Sequence, residues 1–211
     1  MDELPFYANS DEKQDSMSGF IETESELVHY EILNSLRYHY KLSNSQTFKI
    51  LSHFKSIDTL EKASCEELQI IANCGHIDFQ NFKRIMPTSY EGVGLVSYFD
   101  KTYRVGLRDL VDAPIFLWHR GELPNQQSIS IVGTRKSDQK SDLIAFNASA
   151  FASKKNLAVI SGLALGIDTK AHEGCLTTNG KTVAILASDV RFPTPQQNLD
   201  LSYQILETGG C

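Results

Sequence analysis

Two stretches decide the fold of this chain: ISIVGTRK at residues 129–136 and LAVISGLALGID at residues 157–168. Each begins with a short apolar run that is typical of a strand, turns on small residues and glycines, and leads into a helical pattern. A third apolar run, KTVAIL at residues 181–186, follows the second helical pattern. Because parallel strands that are buried on both faces read as nearly continuous apolar runs, this β-α-β-α-β order predicts an α/β fold with a parallel sheet.

The loops that follow these strands form the expected binding site, because ligands of open α/β sheets bind outside the carboxyl ends of the strands. Gly162 and Gly166 allow backbone amides to approach a ligand at the start of a helix, which is where phosphate groups bind. Arg135 adds a planar fork that can grip a phosphate, and Lys136 adds a point charge. The alternative is that the glycines serve only the tight turn and that Arg135 pairs with a carboxylate such as Asp168.

The composition is that of a soluble globular protein, with 211 residues of which 41% are hydrophobic and 22% charged. No window approaches the roughly twenty apolar residues of a membrane span, and the first residues, MDEL, lack the regions of a signal peptide. We therefore expect a cytoplasmic protein without a membrane partner. The cysteines form no Cys-x-x-Cys pair and the histidines show no ligand spacing beside them, so we expect neither a disulfide framework nor a metal site.

The net charge of −6 belongs to the amino-terminal tail. Residues 1–26 hold eight acidic residues and one lysine, a charge of −7, which leaves +1 for the remainder of the chain. The overall acidity is therefore no argument against a nucleic-acid partner. Residues 1–24 are polar as well as acidic, and we expect them to be disordered.

A small helical domain is expected at residues 25–87, since apolar residues recur there at spacings of three and four in four segments. Serines that can cap a helix precede the first three segments, and Ser64 with Glu67 has the form of a capping box. The last of the four segments, residues 79–86, predicts a helix before Pro87. Residues 93–99 and 115–118 read as strands and open a second, partial α/β domain at residues 93–211.

A hydrolase and a redox enzyme are both disfavoured. Ser161, Asp168 and His172 are the residue types of a catalytic triad, but Asp168 and His172 lie four residues apart on one predicted helix and Ser161 occupies no Gly-x-Ser-x-Gly elbow. We expect Asp168 in the first turn of the helix with His172 as its partner, and Ser161 bonded to the loop. The Gly-x-Gly-x-x-Gly fingerprint of dinucleotide binding is absent after both strands, so no redox cofactor is expected.

Two motifs resemble the DprA/Smf family, DNA-processing proteins of natural transformation. IVGTRK at residues 131–136 is similar to a Val-Gly-(Ser/Thr)-Arg element, and ISGLALGIDTKAH at residues 160–172 is similar to the most specific signature of that family. RGEL at residues 120–123 precedes them and the Pro193 to Asn198 element follows, in the order of the family. Ala113 stands where relatives carry the first proline of an Asp-Pro-Pro-like segment, and Leu165 stands where many carry arginine.

The resemblance implies a Rossmann-like sheet, here partial, and a protein without catalytic activity or cofactor. It implies binding of single-stranded DNA in a basic pocket, protection of that DNA, loading of the RecA recombinase, and a homodimer in full-length relatives. Arg135 matches the arginine that faces DNA, and the glycine loop matches the one that faces phosphate. The DNA- or phosphate-binding residues expected from motif and resemblance together are Gly133, Thr134, Arg135, Lys136, Ser161, Gly162, Leu163, Ala164, Gly166 and Asp168.

Two other readings stay open: a domain that binds nucleotides or nucleoside phosphates, and an inactive remnant that acts only through protein contacts. Phe192 is the one aromatic residue near the crevice that could stack on a base, and its spacing equally fits a core residue.

Because relatives of the family continue beyond residue 211, we expect the strand at residues 181–186 to lack a neighbour. That edge would expose Val183, Ile185 and Leu186 and favour association.

Overall fold

The computed structural model describes residues 26–54, 56–75 and 82–208. The expected disordered tail at residues 1–24 lies outside them. By its contacts the chain divides into two compact units, Met1–Ser89 with Val96–Leu117, and Tyr90–Leu95 with Trp118–Cys211. Every helix in the described ranges is too short or too polar to cross a membrane.

The first unit is helical. Its helices are α1 (Glu26–Asn34), which runs on into a π-helical turn at Ser35–His39, then α2 (Asn44–His53), α3 (Ile57–Glu61) and α4 (Cys65–Ala72). Ser43 begins α2 with a capping box to Gln46, and the Ser64 hydroxyl accepts a hydrogen bond from the Glu67 amide at the start of α4. The core of the unit consists of leucines and isoleucines of these helices that are at most 1% exposed: Ile32, Leu33, Leu36, Ile50, Leu51, Leu60 and Leu68.

The sequence predicts a fourth helix at residues 79–86. This prediction is wrong for residues 82–86, which form no helix, and residues 79–81 lie outside the described part. Polar side chains hold this segment by its backbone. The Asn34 amide donates to the Ile85 carbonyl at 2.8 Å, and the Ser35 hydroxyl accepts from the Ile85 amide at 2.8 Å. Tertiary hydrogen bonds therefore take the backbone groups that a helix would have used.

Short elements connect the two units along the chain: strand β1 (Gly94–Ser97), the single helical turn α5 (Val105–Arg108) and strand β2 (Phe116–His119). Within the first unit, the Arg108 guanidinium donates to the carbonyl oxygens of Tyr98 and Asp100 at 3.1 and 2.8 Å. The strand expected at residues 93–99 is present in shortened form, and the strand expected at residues 115–118 is displaced by one residue.

The second unit is built on a three-stranded parallel sheet, as the sequence predicts. Its elements in chain order are β3 (Ser128–Ser130), α6 (Gln139–Lys154), β4 (Ala158–Ser161), α7 (Ile167–Leu176), β5 (Thr182–Ala184), a 3-10 turn at Gln196–Asn198 and α8 (Leu199–Thr208). The strand order is β3-β4-β5, with Ile129 opposite Val159 and Ile160 opposite Val183. The carboxyl ends of all three strands therefore meet at one edge of the sheet.

Two apolar clusters attach the helices to this sheet. Val159 packs with Ala152, Ala171 and Cys175, which joins β4 to α6 and α7. Ala184 packs with Leu163, Leu201 and Ile205, which joins β5 and the loop after β4 to α8. Gly174 allows α7 to approach α6 closely, because a Cβ atom there would overlap the Phe146 carbonyl oxygen.

The sequence predicts that β5 is the outer strand with exposed apolar residues. In the structure these residues lie mainly on β3, the outer strand on the other side of the sheet. Ile185 is exposed as predicted, but Val183 is buried, because α7 and α8 both pack against β5. All three residues of β3 are exposed instead, and Val132 just after it is 67% exposed. On α6, the helix that follows β3 along the chain, Leu143, Ile144 and Phe151 are each at least 60% exposed.

This apolar face of β3 and α6 should make the chain associate at high concentration. Replacing Leu143 and Phe151 together by glutamine should lower light scattering without lowering the urea midpoint, because neither side chain is buried. Ile70→Gln is the matched control, since Ile70 is 71% exposed on α4 in the other unit. Equal scattering from the wild type and the double variant would show that this face does not drive association.

Candidate nucleic-acid interface

The site is formed by two loops that the Asp168 carboxylate holds together. Asp168 lies in the first turn of α7. The Asp168 Oδ1 atom accepts a hydrogen bond from the Gly133 amide at 3.2 Å, and Oδ2 accepts one from the Gly162 amide at 3.1 Å. Asp168 is only 6% exposed. A carboxylate at a helix amino terminus is stabilised by the helix dipole, and here it also bonds the loop after β3 to the loop after β4. Asp168 thus positions the loops from inside the protein.

Gly166 brings the same two loops into direct contact. It adopts φ 81° and ψ −126° at the start of α7, a conformation that only glycine adopts readily. A Cβ atom there would overlap the Thr134 carbonyl oxygen and lie 3.0 Å from the Arg135 carbonyl carbon. The Ile167 amide donates to that same Thr134 carbonyl at 3.2 Å. The sequence predicts a close approach of Gly166 to a ligand, whereas the structure shows a close approach to the backbone that carries Arg135.

Arg135 and Lys136 lie at the tip of the first loop and are exposed. Among the described residues, no carboxylate lies within 4.0 Å of either side chain, so the alternative pairing of Arg135 with Asp168 is not formed. The Thr134 hydroxyl accepts a hydrogen bond from the Lys136 amide at 3.2 Å and fixes the turn between them. Two cations thus project from a loop whose backbone is held in place.

The loop after β4 is also held through Leu163 and Ala164. Leu163 is completely buried, with φ 59°, and the Asn198 side chain donates to its carbonyl oxygen at 2.8 Å. Asn198 also donates to the hydroxyl of Thr169 at 2.8 Å and to the carbonyl of Ala164 at 3.3 Å. The sequence marked Asn198 only as part of a family element, and its role as a clamp depends on this fold.

Ser161 and His172 do not form a triad with Asp168. The Ser161 hydroxyl donates to the Ile131 carbonyl at 2.7 Å, so it bonds the segment after β3 and not the loop that it precedes, and it is 2% exposed. His172 pairs through Nδ1 with the Thr182 hydroxyl at 2.8 Å, and the expectation that it would partner Asp168 is wrong. Nucleophile, base and orienting carboxylate are therefore each engaged elsewhere.

Burial lowers the pKa of His172 to about 4, although the nearby Asp168 charge acts in the opposite direction. The Thr182 hydroxyl donates its hydrogen to the Val159 carbonyl at 2.8 Å, so His172 Nδ1 must be the donor to Thr182. The neutral ring then leaves its Nε2 lone pair buried without a hydrogen-bond partner among the described residues. This imidazole is part of the core beneath the site.

No cluster of three histidine, cysteine, aspartate or glutamate side chains in the described ranges could hold a metal ion. The Gly133 and Gly162 amides are taken by Asp168, so they do not face a ligand as the sequence predicts, and the site presents one fork-shaped cation and one point cation. Of the ten residues expected from the sequence, Arg135, Lys136 and Thr134 present groups to the outside, whereas Ser161, Leu163 and Asp168 are buried. This arrangement can bind an anion from its exposed side.

A family model described as DNA recombination-mediator protein A matches residues 94–211 of the chain. The chain belongs to this family. The resemblance to DprA/Smf proteins is thereby confirmed. The matched range contains both loops of the site and the whole parallel sheet.

Individual relatives agree with this assignment. Protein Smf of Borreliella burgdorferi is 30% identical over 112 residues, which cover 52% of this chain and 36% of that protein. DNA processing protein DprA of Streptococcus pneumoniae is 26% identical over 168 residues, which cover 75% of this chain and 58% of that protein. The chain thus matches less than two thirds of the length of these relatives.

A solved structure extends the comparison to the fold. The X-ray structure of DNA processing protein A from Streptococcus pneumoniae aligns with a TM-score of 0.64 and 24% sequence identity. The alignment covers 84% of this chain and 64% of that one. The predicted α/β Rossmann-like fold with amino-terminal helices is therefore confirmed.

Proposed function

We propose that this chain binds single-stranded DNA through the phosphates that contact Arg135 and Lys136. The observation that carries the proposal is an exposed arginine and lysine, without carboxylate partners among the described residues, on a loop clamped by Asp168 and Gly166. A fixed backbone spares the protein the entropic cost of ordering the loop upon binding. Membership of the DNA recombination-mediator family supports nucleic acid as the source of the phosphates.

The chemistry favours sequence-tolerant binding. Arg135 and Lys136 offer donors that suit phosphate oxygens, and contacts to phosphate position a strand without reading its bases. Such contacts release counterions, so the affinity should fall steeply as salt rises. The chain would then protect or hold any single strand.

We extend the proposal to the wider role that the family resemblance implies. The chain would act in the cytoplasm, without catalysis, as a protein of natural transformation that helps load the RecA recombinase onto bound single strands, and full-length relatives would act as homodimers. The engaged states of Ser161 and His172 support a binding role over a hydrolytic one. Co-sedimentation of RecA with the DNA-bound chain tests the partner directly.

Arg135→Ala should weaken binding to all single-stranded sequences alike, by about tenfold, and should lower the salt slope by about 1. Fluorescence anisotropy with labelled oligonucleotides between about 50 and 200 mM salt measures both quantities. Lys154→Ala is the matched control, because it removes the same charge just before β4, at the opposite edge of the sheet. It should leave affinity nearly unchanged.

Two outcomes would contradict this assignment. If Arg135→Ala and the wild type bind with equal affinity, the loop is not part of the binding site. If the affinity does not change with salt concentration, the protein does not contact the phosphates. Mononucleotides added as competitors test the alternative of a nucleotide-binding domain. If they displace the oligonucleotide at micromolar concentration, the small ligand is the better description of the substrate.

A further inference from the structure

Phe192 is not a core residue. Its ring is 68% exposed, whereas the neighbouring Pro193 is buried. The Phe192 amide donates to the Asp189 carbonyl at 2.9 Å, so the backbone turns tightly beneath the ring. A large aromatic side chain is therefore presented to solvent by a backbone that is held on both sides.

Two further flat groups lie beside this ring. The Arg191 guanidinium carbon is 3.6 Å from the centroid of the Tyr90 ring and 5.3 Å from the centroid of the Phe192 ring. Tyr90 is itself 36% exposed. The guanidinium thus lies within cation–π distance of two aromatic rings in the same unit, and cation–π attraction stabilises such contacts.

Asp189 fixes the guanidinium and cancels its charge. Arg191 Nε donates to Oδ1 at 3.0 Å, and Arg191 Nη2 donates to Oδ2 at 2.6 Å. Hydrogen bonds from Arg191 hold the pKa of Asp189 at about 2, so the pair stays ionised at neutral pH. A paired guanidinium is a poor phosphate ligand, because the carboxylate occupies its fork. What the cluster offers instead is planar surface.

The segment that carries the cluster leaves the sheet at the edge where the phosphate loops lie. Phe192 follows the carboxyl end of β5, as Arg135 follows that of β3. Six residues after Phe192, Asn198 bonds the Leu163 carbonyl of the glycine loop at 2.8 Å. The chain segment that carries Phe192 is therefore attached to the loop that faces the proposed phosphate site.

We propose that Phe192, supported by Arg191 and Tyr90, is a stacking site for an unpaired nucleobase of the strand whose phosphates Arg135 binds. This inference rests on the proposed function and adds the base to it. A phosphate contact alone does not distinguish single from double strands, whereas a base can stack on an exposed ring only when it is unpaired. The stacking site would thus supply the preference for single strands without sequence reading.

The test compares two probes of equal length, an oligothymidylate and an abasic oligonucleotide with the same number of phosphates. Stacking of one base should make the wild type bind the oligothymidylate about tenfold more tightly. Phe192→Ala should bring this ratio close to one, and Phe192→Trp should preserve it. Arg135→Ala should weaken both probes and leave the ratio unchanged, which separates the base contact from the phosphate contact.

Phe192→Leu distinguishes stacking from a simple apolar contact, because leucine keeps apolar bulk but has no aromatic face. It should behave like Phe192→Ala with the oligothymidylate, and thermal melts should show that both variants stay folded. If the wild type binds both probes equally, or if Phe192→Ala or Phe192→Leu keeps the wild-type ratio, the stacking site is refuted while DNA binding stands. If the wild type binds neither probe, the stacking site and the proposed function are refuted together.

Discussion

Gly166→Ala is expected to lower the free energy of unfolding of the second unit by about 3 kcal/mol. Two causes act together. The residue has φ 81°, which strains any side-chain-bearing residue, and the new Cβ atom would overlap the Thr134 carbonyl oxygen. The loop that carries Arg135 must then move away from α7. Binding to oligonucleotides should fall together with stability, because the same backbone positions the cation.

Gly106→Ala is the control for this experiment. Gly106 lies in α5 with no positive φ, and a Cβ atom there would meet nothing within 4 Å. Its stability should be unchanged or slightly raised, by at most about 1 kcal/mol. Urea unfolding of both variants, beside anisotropy at low denaturant, gives the two quantities. A folded Gly166→Ala protein with wild-type stability would show that the two loops do not depend on each other.

The parallel sheet could be predicted because its signal is local. Each strand is a short apolar run that ends on small residues, and the helical patterns between the runs force a parallel arrangement. The strands are shorter than the apolar runs that predict them. Val132 belongs to the first run but lies beyond the end of β3, in the loop that leads to Gly133. Propensity locates a strand but not the point where its pairing ends.

The partners of Asp168 could not be read from the sequence. His172 lies one helical turn away, so the sequence favours a pair between them. The carboxylate instead points toward the amino terminus of α7, where amides from two different loops converge. His172 is taken by Thr182, which lies on the neighbouring strand. The packing of the strands decides which of several possible partners a polar side chain meets. That packing depends on residues far apart in the sequence, so a local pattern does not predict it.

The exposure of Phe192 was equally beyond the sequence. An aromatic residue beside proline fits a core position and a surface platform equally well. The structure decides between them because Arg191 turns toward Tyr90 and Asp189, and the aromatic ring stays outside. A contact between Tyr90 and Arg191 joins positions about a hundred residues apart along the chain, and no spacing rule anticipates it.

Lowering the pH from 6.5 to 4 should cost the second unit about 3 kcal/mol of stability through His172 alone. Burial lowers the pKa of this imidazole from 6.5 to about 4 in the folded protein. Between these values the unfolded chain binds a proton at His172 and the folded chain does not, so protons favour unfolding. Above pH 6.5 the ring is neutral in both states, and below pH 4 the folded state is protonated as well and the loss is complete.

His172→Gln isolates this contribution, because glutamine can still donate to the Thr182 hydroxyl but carries no proton equilibrium in this range. The variant should be less stable than the wild type at pH 7, since its shape fills the buried site less well, yet its stability should fall less between pH 6.5 and 4. His39→Gln, at an exposed position, should keep the full wild-type pH dependence. Urea midpoints at half-unit steps of pH give the three slopes. If His172→Gln and the wild type lose stability in parallel, the buried imidazole is not the group that titrates, and acid sensitivity must come from carboxylates.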